Sequence, residues 1–166
     1  MEIRNDKNQK TKILFICLGN ICRSPAANAV MQQMIDKQDL SSLFYVDSAG
    51  IGNWHVGELP DSRMRKHGLQ RGYTIDHIAR QFDASTDFDA FDYIAVMDND
   101  NYKEVYSRAK TASEKAKIVK MADYIHHYDN VTAVPDPYYG DGQAFEYALD
   151  LIEDGCSAFL SFLVNS

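Results

Sequence analysis

Cys17 and Arg23, separated by five residues, place a nucleophile and an anion-binding group within one short segment, residues 17–24. A cysteine thiolate can attack phosphorus, and the planar guanidinium of arginine can hold two phosphate oxygens at once. This pair of residues could therefore carry out phosphoryl transfer. The spacing alone is a weak pattern, because a buried strand cysteine followed by a surface arginine would produce the same letters. The surrounding elements must decide between the two interpretations.

The residues on either side of Cys17 favour a phosphate-binding loop. Residues 12–16 form a short apolar run, typical of a strand that is buried on both faces of a parallel sheet. After the loop, Ser24 can cap a helix and Pro25 suits its first position. Gly19 and Asn20 tolerate the positive φ angles that turn backbone amides inward around an anion. Amides at a helix N-terminus lack intrahelical acceptors and carry partial positive charge, which also favours the thiolate form of Cys17.

Asp136 is the candidate proton donor for the leaving group of such a reaction. It lies between Pro135 and Pro137, which restrict the backbone and hold the carboxyl group in place. The alternative is an Asp-Pro turn with an exposed carboxylate, which is common in loops. The loop at Cys17 favours the catalytic interpretation, because attack on a phosphate ester produces an oxyanion that needs a proton.

Alternating strands and helices predict the fold that positions these residues. Strands are predicted over 12–16, 44–46, 91–97 and 117–121. Helices are predicted from Ser24 with Ala26, Val30 and Met34 buried, over 61–71 with a stop at Gly72, after Asp98, and from about Gln143. This order predicts a three-layer α/β/α domain with a four-stranded parallel sheet. Right-handed crossovers then gather the strand-to-helix loops, including the phosphate-binding loop between the first strand and first helix, at one sheet edge.

Composition narrows the classes of function. The chain has 166 residues and a formal charge of −7, which suits one compact domain and argues against a general nucleic-acid binder. No apolar run approaches the roughly 20 residues that span a bilayer, so no membrane association is expected. Three cysteines are too few for a disulfide scaffold and suit a reducing compartment, so we expect a cytoplasmic protein. Residues 1–11 have no apolar stripe and are expected to form a flexible extension.

Several segments, taken in order, resemble the low-molecular-weight protein tyrosine phosphatases over nearly the whole chain from Lys12 onward. The segments are Cys17-Leu18-Gly19-Asn20-Ile21-Cys22-Arg23-Ser24-Pro25, Asp47-Ser48-Ala49-Gly50, Trp54-His55-Val56-Gly57, His77-Ile78-Ala79-Arg80-Gln81, Met97-Asp98 and Asp136-Pro137-Tyr138-Tyr139-Gly140. The resemblance implies a phosphatase domain over residues 12–166 that hydrolyses phosphotyrosine through a cysteinyl-phosphate. It makes Cys17 the nucleophile, Arg23 the phosphate clamp and Asp136 first the acid and then the base.

The resemblance also implies roles for other residues around the loop. Substrate would contact Leu18, Gly19, Asn20, Ile21, Cys22, Ser24, Trp54, Tyr138 and Tyr139, with the three aromatic residues forming walls that suit a long planar ester. A hydrogen-bond network of Asn20, Ser24, Ser48 and His77 would fix the loop, and Asp98 would orient Arg23. Cys22 would form a reversible disulfide with Cys17 as a guard against oxidation; the alternative is a half-buried loop residue without a redox role. The expected partners are phosphotyrosine proteins and inorganic phosphate as product and inhibitor, for a monomer without cofactor or metal.

Three alternatives remain open at this stage. A phosphoarginine phosphatase of the same family would have threonine at the position of Ile21. A thioredoxin-coupled arsenate reductase would need further cysteines, and only Cys156, on the apolar stripe of the last helix, lies beyond the loop. A non-catalytic phosphoprotein-binding module would need neither the nucleophile nor the acid.

Two further groups of polar residues are interpreted without a catalytic role. The adjacent His126 and His127 have no third residue at metal-ligand spacing, so they are expected to be solvated. The remaining basic residues are interpreted as surface charges, one of which could touch substrate: Arg63, Arg65, Lys66, Arg71 and Arg80.

Overall fold

The computed structural model describes residues 9–166, which form four strands, six α-helices and one short 3-10 helix. The order along the chain is β1 (Thr11–Cys17), α1 (Arg23–Lys37), β2 (Phe44–Gly50), α2 (Ser62–Gln70), α3 (Ala84–Ala90), β3 (Tyr93–Val96), α4 (Asn99–Arg108), α5 (Ala112–Ala116), β4 (Ile118–Lys120), the 3-10 helix (Met121–Tyr124) and α6 (Gly142–Val164).

The strands form one parallel sheet in the order β2-β1-β3-β4, covered by helices on both faces. Successive side chains of β1 alternate between two apolar clusters. Ile13 and Phe15 pack in the cluster that includes the buried residues of α1 and α6, whereas Leu14 and Ile16 pack with residues of α3 and α4. Because both faces of the sheet are covered, β1 is apolar at successive positions rather than at every second one. The predicted three-layer α/β/α architecture is confirmed.

The carboxyl ends of β1 and β3 lie side by side and define the edge where the candidate residues gather. Cys17 is the last residue of β1 and pairs in register with Gly50 at the end of β2. Asp98 follows β3 after Met97, whose backbone amide donates to the carbonyl of Ile16. The loop after β1 and the start of α4 are therefore neighbours, as expected for a doubly wound parallel sheet.

Helix α1 begins two residues earlier than predicted, at Arg23 rather than Pro25, and its first turn differs from the expected capping. Cys22 occupies the N-cap position and no side chain caps the helix, so the prediction that Ser24 is the cap is wrong. Ser24 lies inside the first turn, where its hydroxyl bonds to other side chains. On the buried face, Met31 and Ile35 are fully buried and Met34 is only half-buried.

Other predicted boundaries agree within a few residues, and two helices were not predicted. Helix α2 lies within the predicted 61–71, with Asp61 as its N-cap, and Gly72 has the positive φ of 87° that ends it. Strand β2 continues to Gly50, beyond the predicted end at 46. Helices α3 and α5 have seven and five residues, too short to show a repeating apolar stripe.

The predicted N-terminal extension, residues 1–11, lies mostly outside the described residues. Its last residue, Thr11, is buried and begins β1, with its amide donating to the carbonyl of Leu43. Within residues 9–166, no helix is both long and apolar enough to cross a membrane.

Candidate active site

The loop between β1 and α1 has a backbone that only a few residue types can adopt. Asn20 has φ = 57°, the left-handed region that asparagine tolerates better than most residues. The loop also passes very close to the end of β2. A Cβ atom on Gly50 would lie 2.9 Å from the backbone nitrogen of Asn20, so glycine is required where the two backbones meet.

The side chain of Asn20, which is fully buried, holds the loop in this shape through three hydrogen bonds. Its Nδ2 donates to Ser24 Oγ at 2.7 Å and to Ser48 Oγ at 3.0 Å. Its Oδ1 accepts from the backbone amide of Arg80 at 3.0 Å. The structure therefore brings Asn20, Ser24 and Ser48 together, and it adds a backbone partner that the sequence did not reveal.

His77 lies beside this network without completing it. Its Nδ1 is 3.5 Å from Asp47 Oδ1, and its Nε2 is buried without a hydrogen-bond partner among residues 9–166. Burial lowers the pKa of His77 below its usual value, and the nearby carboxylate of Asp47 only partly opposes this effect. His77 therefore faces Asp47 and the backbone of Ser48, rather than the side chains of Ser48 and Asn20.

Cys17 is 3% exposed and lies against the hydroxyl of Ser24. The distance from Cys17 Sγ to Ser24 Oγ is 3.0 Å, and either atom can be the donor. Ser24 Oγ accepts from Asn20 Nδ2, and its own proton has two acceptors within reach, Cys17 Sγ at 3.0 Å and the carbonyl of Ala49 at 3.4 Å. This geometry lets Ser24 donate a hydrogen bond to a thiolate.

The side chain of Arg23 is 2% exposed, although it carries a positive charge. Its Nη1 donates to Asp98 Oδ2 at 2.7 Å and to the carbonyl of Val134 at 2.9 Å, and its Nη2 is 3.6 Å from Asp136 Oδ2. Burial alone would lower the pKa of Arg23, but Cys17 and the two carboxylates raise it above its usual value. Its Nε is buried and unpartnered among the described residues, so one donor of the fork is available for an anion.

Asp98 contacts Arg23 from the start of α4. It is the N-cap of α4, where its Oδ1 accepts from the amide of Asn101 at 2.7 Å. Its other oxygen accepts from Arg23. The helix N-terminus therefore fixes one carboxylate oxygen and leaves the second to direct the guanidinium.

Asp136 lies on the opposite rim of the same cleft. Its side chain is 35% exposed, and its Oδ1 accepts from the backbone amide of Tyr138 at 3.1 Å. Asp136, Cys17 and Arg23 line one cavity of about 330 Å³. The same cavity is lined by the three predicted aromatic residues and by most of the loop residues predicted to contact substrate: Leu18, Gly19, Ile21, Cys22, Trp54, Tyr138 and Tyr139.

The aromatic residues form the outer walls of this cleft. Trp54 is 66% exposed, and its ring lies across Gly52, where an added Cβ would be 2.0 Å from a ring carbon. Tyr138 is half-buried and Tyr139 is 94% exposed. The two rings pack edge to face, with their centroids 4.9 Å apart. A polar phosphate-binding loop flanked by aromatic side chains can accept the phosphate of an aryl ester.

Cys22 is buried in the loop and lines the cavity with Cys17. Burial raises the pKa of the Cys22 thiol far above its usual value, and the charges of Asp61 and Cys17 add to the effect. All three cysteines of the chain are unpaired in this structure, and Cys156 is fully buried in the core. No cysteine of residues 9–166 outside the loop is exposed, so none is accessible for a disulfide relay.

Sequence reasoning missed three polar residues of the site and its surroundings. His55 lines the cleft, with its ring 6.4 Å from that of Tyr138 and its Nδ1 2.5 Å from Glu58 Oε2. Arg63 donates to the carbonyl of Tyr138. Arg80 pairs with Asp47 and Asp87 rather than lying free on the surface. The only signal for His55 was its place in the Trp54-His55-Val56-Gly57 segment.

Arg71 and the histidine pair also differ from the sequence interpretation. Arg71 pairs with the acidic residues of α6, so it joins α2 to that helix. Asp154, also from α6, accepts from the backbone amides of His126 and His127 and from the ring of His127, and potential ligand atoms of the three residues lie within 4.8 Å. The carboxylate is thus already used to fix the loop after the 3-10 helix.

Known proteins resemble this chain over most of its length. The family model described as low molecular weight phosphotyrosine protein phosphatase matches residues 12–166. The human low molecular weight phosphotyrosine protein phosphatase is 37% identical over 154 residues, which cover 92% of this chain and 96% of the human protein. A crystal structure of a protein tyrosine phosphatase from Entamoeba histolytica has a TM-score of 0.90 and 47% identity, covering 94% of this chain and 98% of that one.

One further relative bears on the open alternatives. The crystal structure described as Drosophila arginine phosphatase has a TM-score of 0.84 and 36% identity, covering 92% of this chain and 97% of that one. Proteins of this fold with different phosphorylated substrates are therefore among the relatives. The family match over residues 12–166 and the identity to these relatives establish that the chain belongs to the low molecular weight phosphotyrosine protein phosphatases.

Proposed function

We propose that this phosphatase hydrolyses phosphotyrosine in proteins through a cysteinyl-phosphate on Cys17. In the first step the Cys17 thiolate attacks phosphorus, the S–P bond forms and the P–O bond to tyrosine breaks. Asp136, protonated at this point, gives its proton to the departing phenolate oxygen. Arg23 and the loop amides hold the phosphate oxygens as charge develops on them.

The second step returns the enzyme to its starting state. Asp136, now a carboxylate, takes a proton from a water molecule whose oxygen attacks phosphorus. The S–P bond breaks, the Cys17 thiolate re-forms with a hydrogen bond from Ser24, and inorganic phosphate leaves. Free phosphate would occupy the same donors, so it is expected to inhibit competitively.

The observation that carries the proposal is the convergence of three groups on one cleft. Cys17, Arg23 and Asp136 come from β1, α1 and a loop more than a hundred residues away, and all three line the same cavity. A module that only bound phosphate would need the arginine and the amides, but neither a nucleophile nor a carboxylic acid at the rim.

Turnover of p-nitrophenyl phosphate by Cys17→Ser tests the nucleophile. We expect activity to fall to background, because the serine hydroxyl is a far weaker nucleophile than a thiolate. Cys156→Ala is the matched control, since it removes a thiol from the core at a distance from the cleft. Equal residual activity in wild type and Cys17→Ser would contradict the cysteine mechanism.

Leaving-group dependence tests the role of Asp136. Asp136→Ala should lower kcat/KM for phenyl phosphate by about 10²–10⁴-fold, the usual contribution of a general acid. The same variant should lose much less with 2,4-dinitrophenyl phosphate, whose leaving group needs no proton. Equal losses with both esters would exclude Asp136 as the acid.

A second candidate substrate is phosphoarginine, because a relative 36% identical to this chain is described as an arginine phosphatase. Ile21 lines the cleft of this chain and carries no hydroxyl, which favours the aryl ester. Matched peptides carrying phosphotyrosine, phosphoserine or phosphoarginine separate the candidates. The proposal requires the highest kcat/KM for phosphotyrosine, and a preference for phosphoarginine would overturn the assigned substrate while leaving the chemistry intact.

We also infer that the protein acts in the cytoplasm as a monomer. Support for the location comes from the three unpaired cysteines, which suit a reducing compartment. Sedimentation equilibrium at micromolar concentrations tests the monomer, and fractionation of the source cells tests the location.

A further inference from the structure

The loop that carries Asp136 is anchored at two points, one on each side of the carboxylate. Two residues upstream, the amide of Val134 donates to the carbonyl of Met97 at 2.8 Å, and the carbonyl of Val134 accepts from Arg23 at 2.9 Å. Two residues downstream, the carbonyl of Tyr138 accepts from Arg63 Nη2 at 3.0 Å. Only the upstream anchor is made by a residue of the phosphate-binding loop.

The downstream anchor acts on the residue that orients the Asp136 carboxylate. Pro135 and Pro137 have no amide hydrogen, so neither of the residues next to Asp136 can donate to its side chain. The first amide available after Asp136 is that of Tyr138, which donates to Asp136 Oδ1 at 3.1 Å. Arg63 holds the carbonyl of this same residue, so it fixes the donor that sets the direction of the carboxylate.

Arg63 is itself held in place before any substrate arrives. Its Nε and Nη2 make a two-point contact with Asp61, at 3.1 Å to Oδ1 and 2.9 Å to Oδ2. Its guanidinium carbon lies 5.5 Å from the ring centre of Tyr138 and 4.8 Å from that of Phe145, within the range of cation–π contacts. The planar fork of arginine suits this combination of carboxylate, carbonyl and ring, and lysine could not reproduce it.

Asp61 extends this arrangement to the phosphate-binding loop. Its side chain is 10% exposed and accepts from the amide of Arg63 as the N-cap of α2, while its own amide donates to the carbonyl of Ile21 at 2.8 Å. A continuous set of hydrogen bonds therefore runs from Ile21 through Asp61 and Arg63 to Tyr138. It joins the loop that binds the phosphate to the loop that carries the acid.

We propose that Arg63 is a positioning residue for proton transfer, which holds Asp136 at the correct distance and direction from the leaving oxygen. The proposal rests on the proposed role of Asp136 as the acid. Arg63 is not among the residues that line the cavity with Cys17, so its loss should affect the proton transfer and leave phosphate binding unchanged. A displacement of a catalytic group by about 1 Å can cost as much as 10²-fold in rate.

The test compares kcat/KM for two esters in Arg63→Ala. We expect a loss of about tenfold with phenyl phosphate, because a misplaced acid retains part of its effect. With 2,4-dinitrophenyl phosphate the loss should be less than about twofold, and inhibition by inorganic phosphate should be unchanged, because neither depends on the acid. Arg65→Ala is the matched control: Arg65 is exposed on the same helix, and its Nε donates to the carbonyl of Pro60 rather than to the Asp136 loop.

The double variant Arg63→Ala/Asp136→Ala gives the decisive comparison. If Arg63 acts through Asp136, removing it from the Asp136→Ala enzyme should change kcat/KM for phenyl phosphate by less than about twofold, because effects that share one group are not additive. A full tenfold loss in that background, or equal losses with both esters in Arg63→Ala alone, would overturn the positioning role.

Two further measurements keep the outcome unambiguous. If Arg63→Ala does not fold, Asp61→Asn is used instead, because it retains an acceptor for the helix cap while weakening the two-point contact with Arg63. Asp61→Asn should lose more activity with phenyl phosphate than with 2,4-dinitrophenyl phosphate, as Arg63→Ala does. Equal losses with both esters would contradict the proposal. If Asp136→Ala itself shows no such dependence, the proposed acid is wrong, which is a different result from failure of the positioning role.

Discussion

Replacement of Asn20 by alanine and by glycine would show how strongly the phosphate-binding loop depends on one side chain. Both variants lose the three hydrogen bonds to Ser24, Ser48 and the amide of Arg80. At about 1 kcal/mol for each bond, and about 1–2 kcal/mol for alanine held in the left-handed region, Asn20→Ala should lower the free energy of unfolding by about 4–5 kcal/mol.

The glycine variant separates the hydrogen bonds from the backbone angle. Glycine removes the strain at φ = 57° but adds conformational freedom to the unfolded chain, which costs about 0.4–1 kcal/mol. The strain relieved is about 1–2 kcal/mol, so Asn20→Gly should be more stable than Asn20→Ala by about 1 kcal/mol. Urea titrations followed by far-UV circular dichroism measure both values.

Asn130 provides a matched control for these titrations. It has φ = 58°, is exposed, and has no side-chain hydrogen bond among the described residues. Asn130→Ala should therefore lose only about 1–2 kcal/mol, the cost of the left-handed angle by itself. If Asn20→Ala were no more destabilised than Asn130→Ala, the buried hydrogen bonds would not stabilise the loop and the reasoning would be refuted.

Two further predictions concern the cysteines of the loop and the pH dependence of stability. Burial raises the pKa of Cys22, so Cys22 should stay a thiol at neutral pH and react only after Cys17 has been oxidised. After inactivation by peroxide, Cys22→Ser treated with dithiothreitol should regain a smaller fraction of its untreated activity than wild type regains. Full recovery of Cys22→Ser would contradict the proposed guard role of Cys22. For Asp154, burial tends to raise the pKa, but hydrogen bonds from His127 and two backbone amides lower it below the ordinary 3.8. The carboxylate therefore stabilises the fold fully above about pH 3.8, and this stabilisation is lost as the pH falls through the lower pKa that Asp154 has in the folded protein. Asp154→Asn should then show a weaker loss of stability with falling pH than wild type. An unchanged loss of stability at acid pH would contradict this assignment.

Features that depend on neighbouring residues in the chain could be predicted from the sequence. The apolar run before Cys17 predicted the buried strand, and the end of α2 at Gly72 follows from the need for a positive φ there. Cys17, Arg23 and Asp136 could be selected as candidates because each lies in a short segment with a definite chemical character. Their convergence in one cavity follows from the parallel sheet, which gathers strand-to-helix loops at one edge.

Features that depend on long-range contacts could not be predicted. Ser24 follows the loop as a helix cap would, yet its hydroxyl faces Cys17 because the helix begins at Arg23. Arg63 resembles any exposed arginine until the fold brings Tyr138, 75 residues later, within 3.0 Å. Asp154 similarly reaches the histidine pair from a helix that the sequence did not connect with it.

The most direct test of the account is the detection of phosphate on Cys17 itself. Asp136→Ala, mixed rapidly with 2,4-dinitrophenyl phosphate and quenched in acid, should accumulate the intermediate, because the base that activates water is missing. Mass spectrometry of the digest should then find one phosphoryl group on the peptide that contains Cys17, and none in Cys17→Ser/Asp136→Ala. A phosphoryl group on another residue, or turnover without any phosphorylated peptide in the quenched samples, would contradict the central claim.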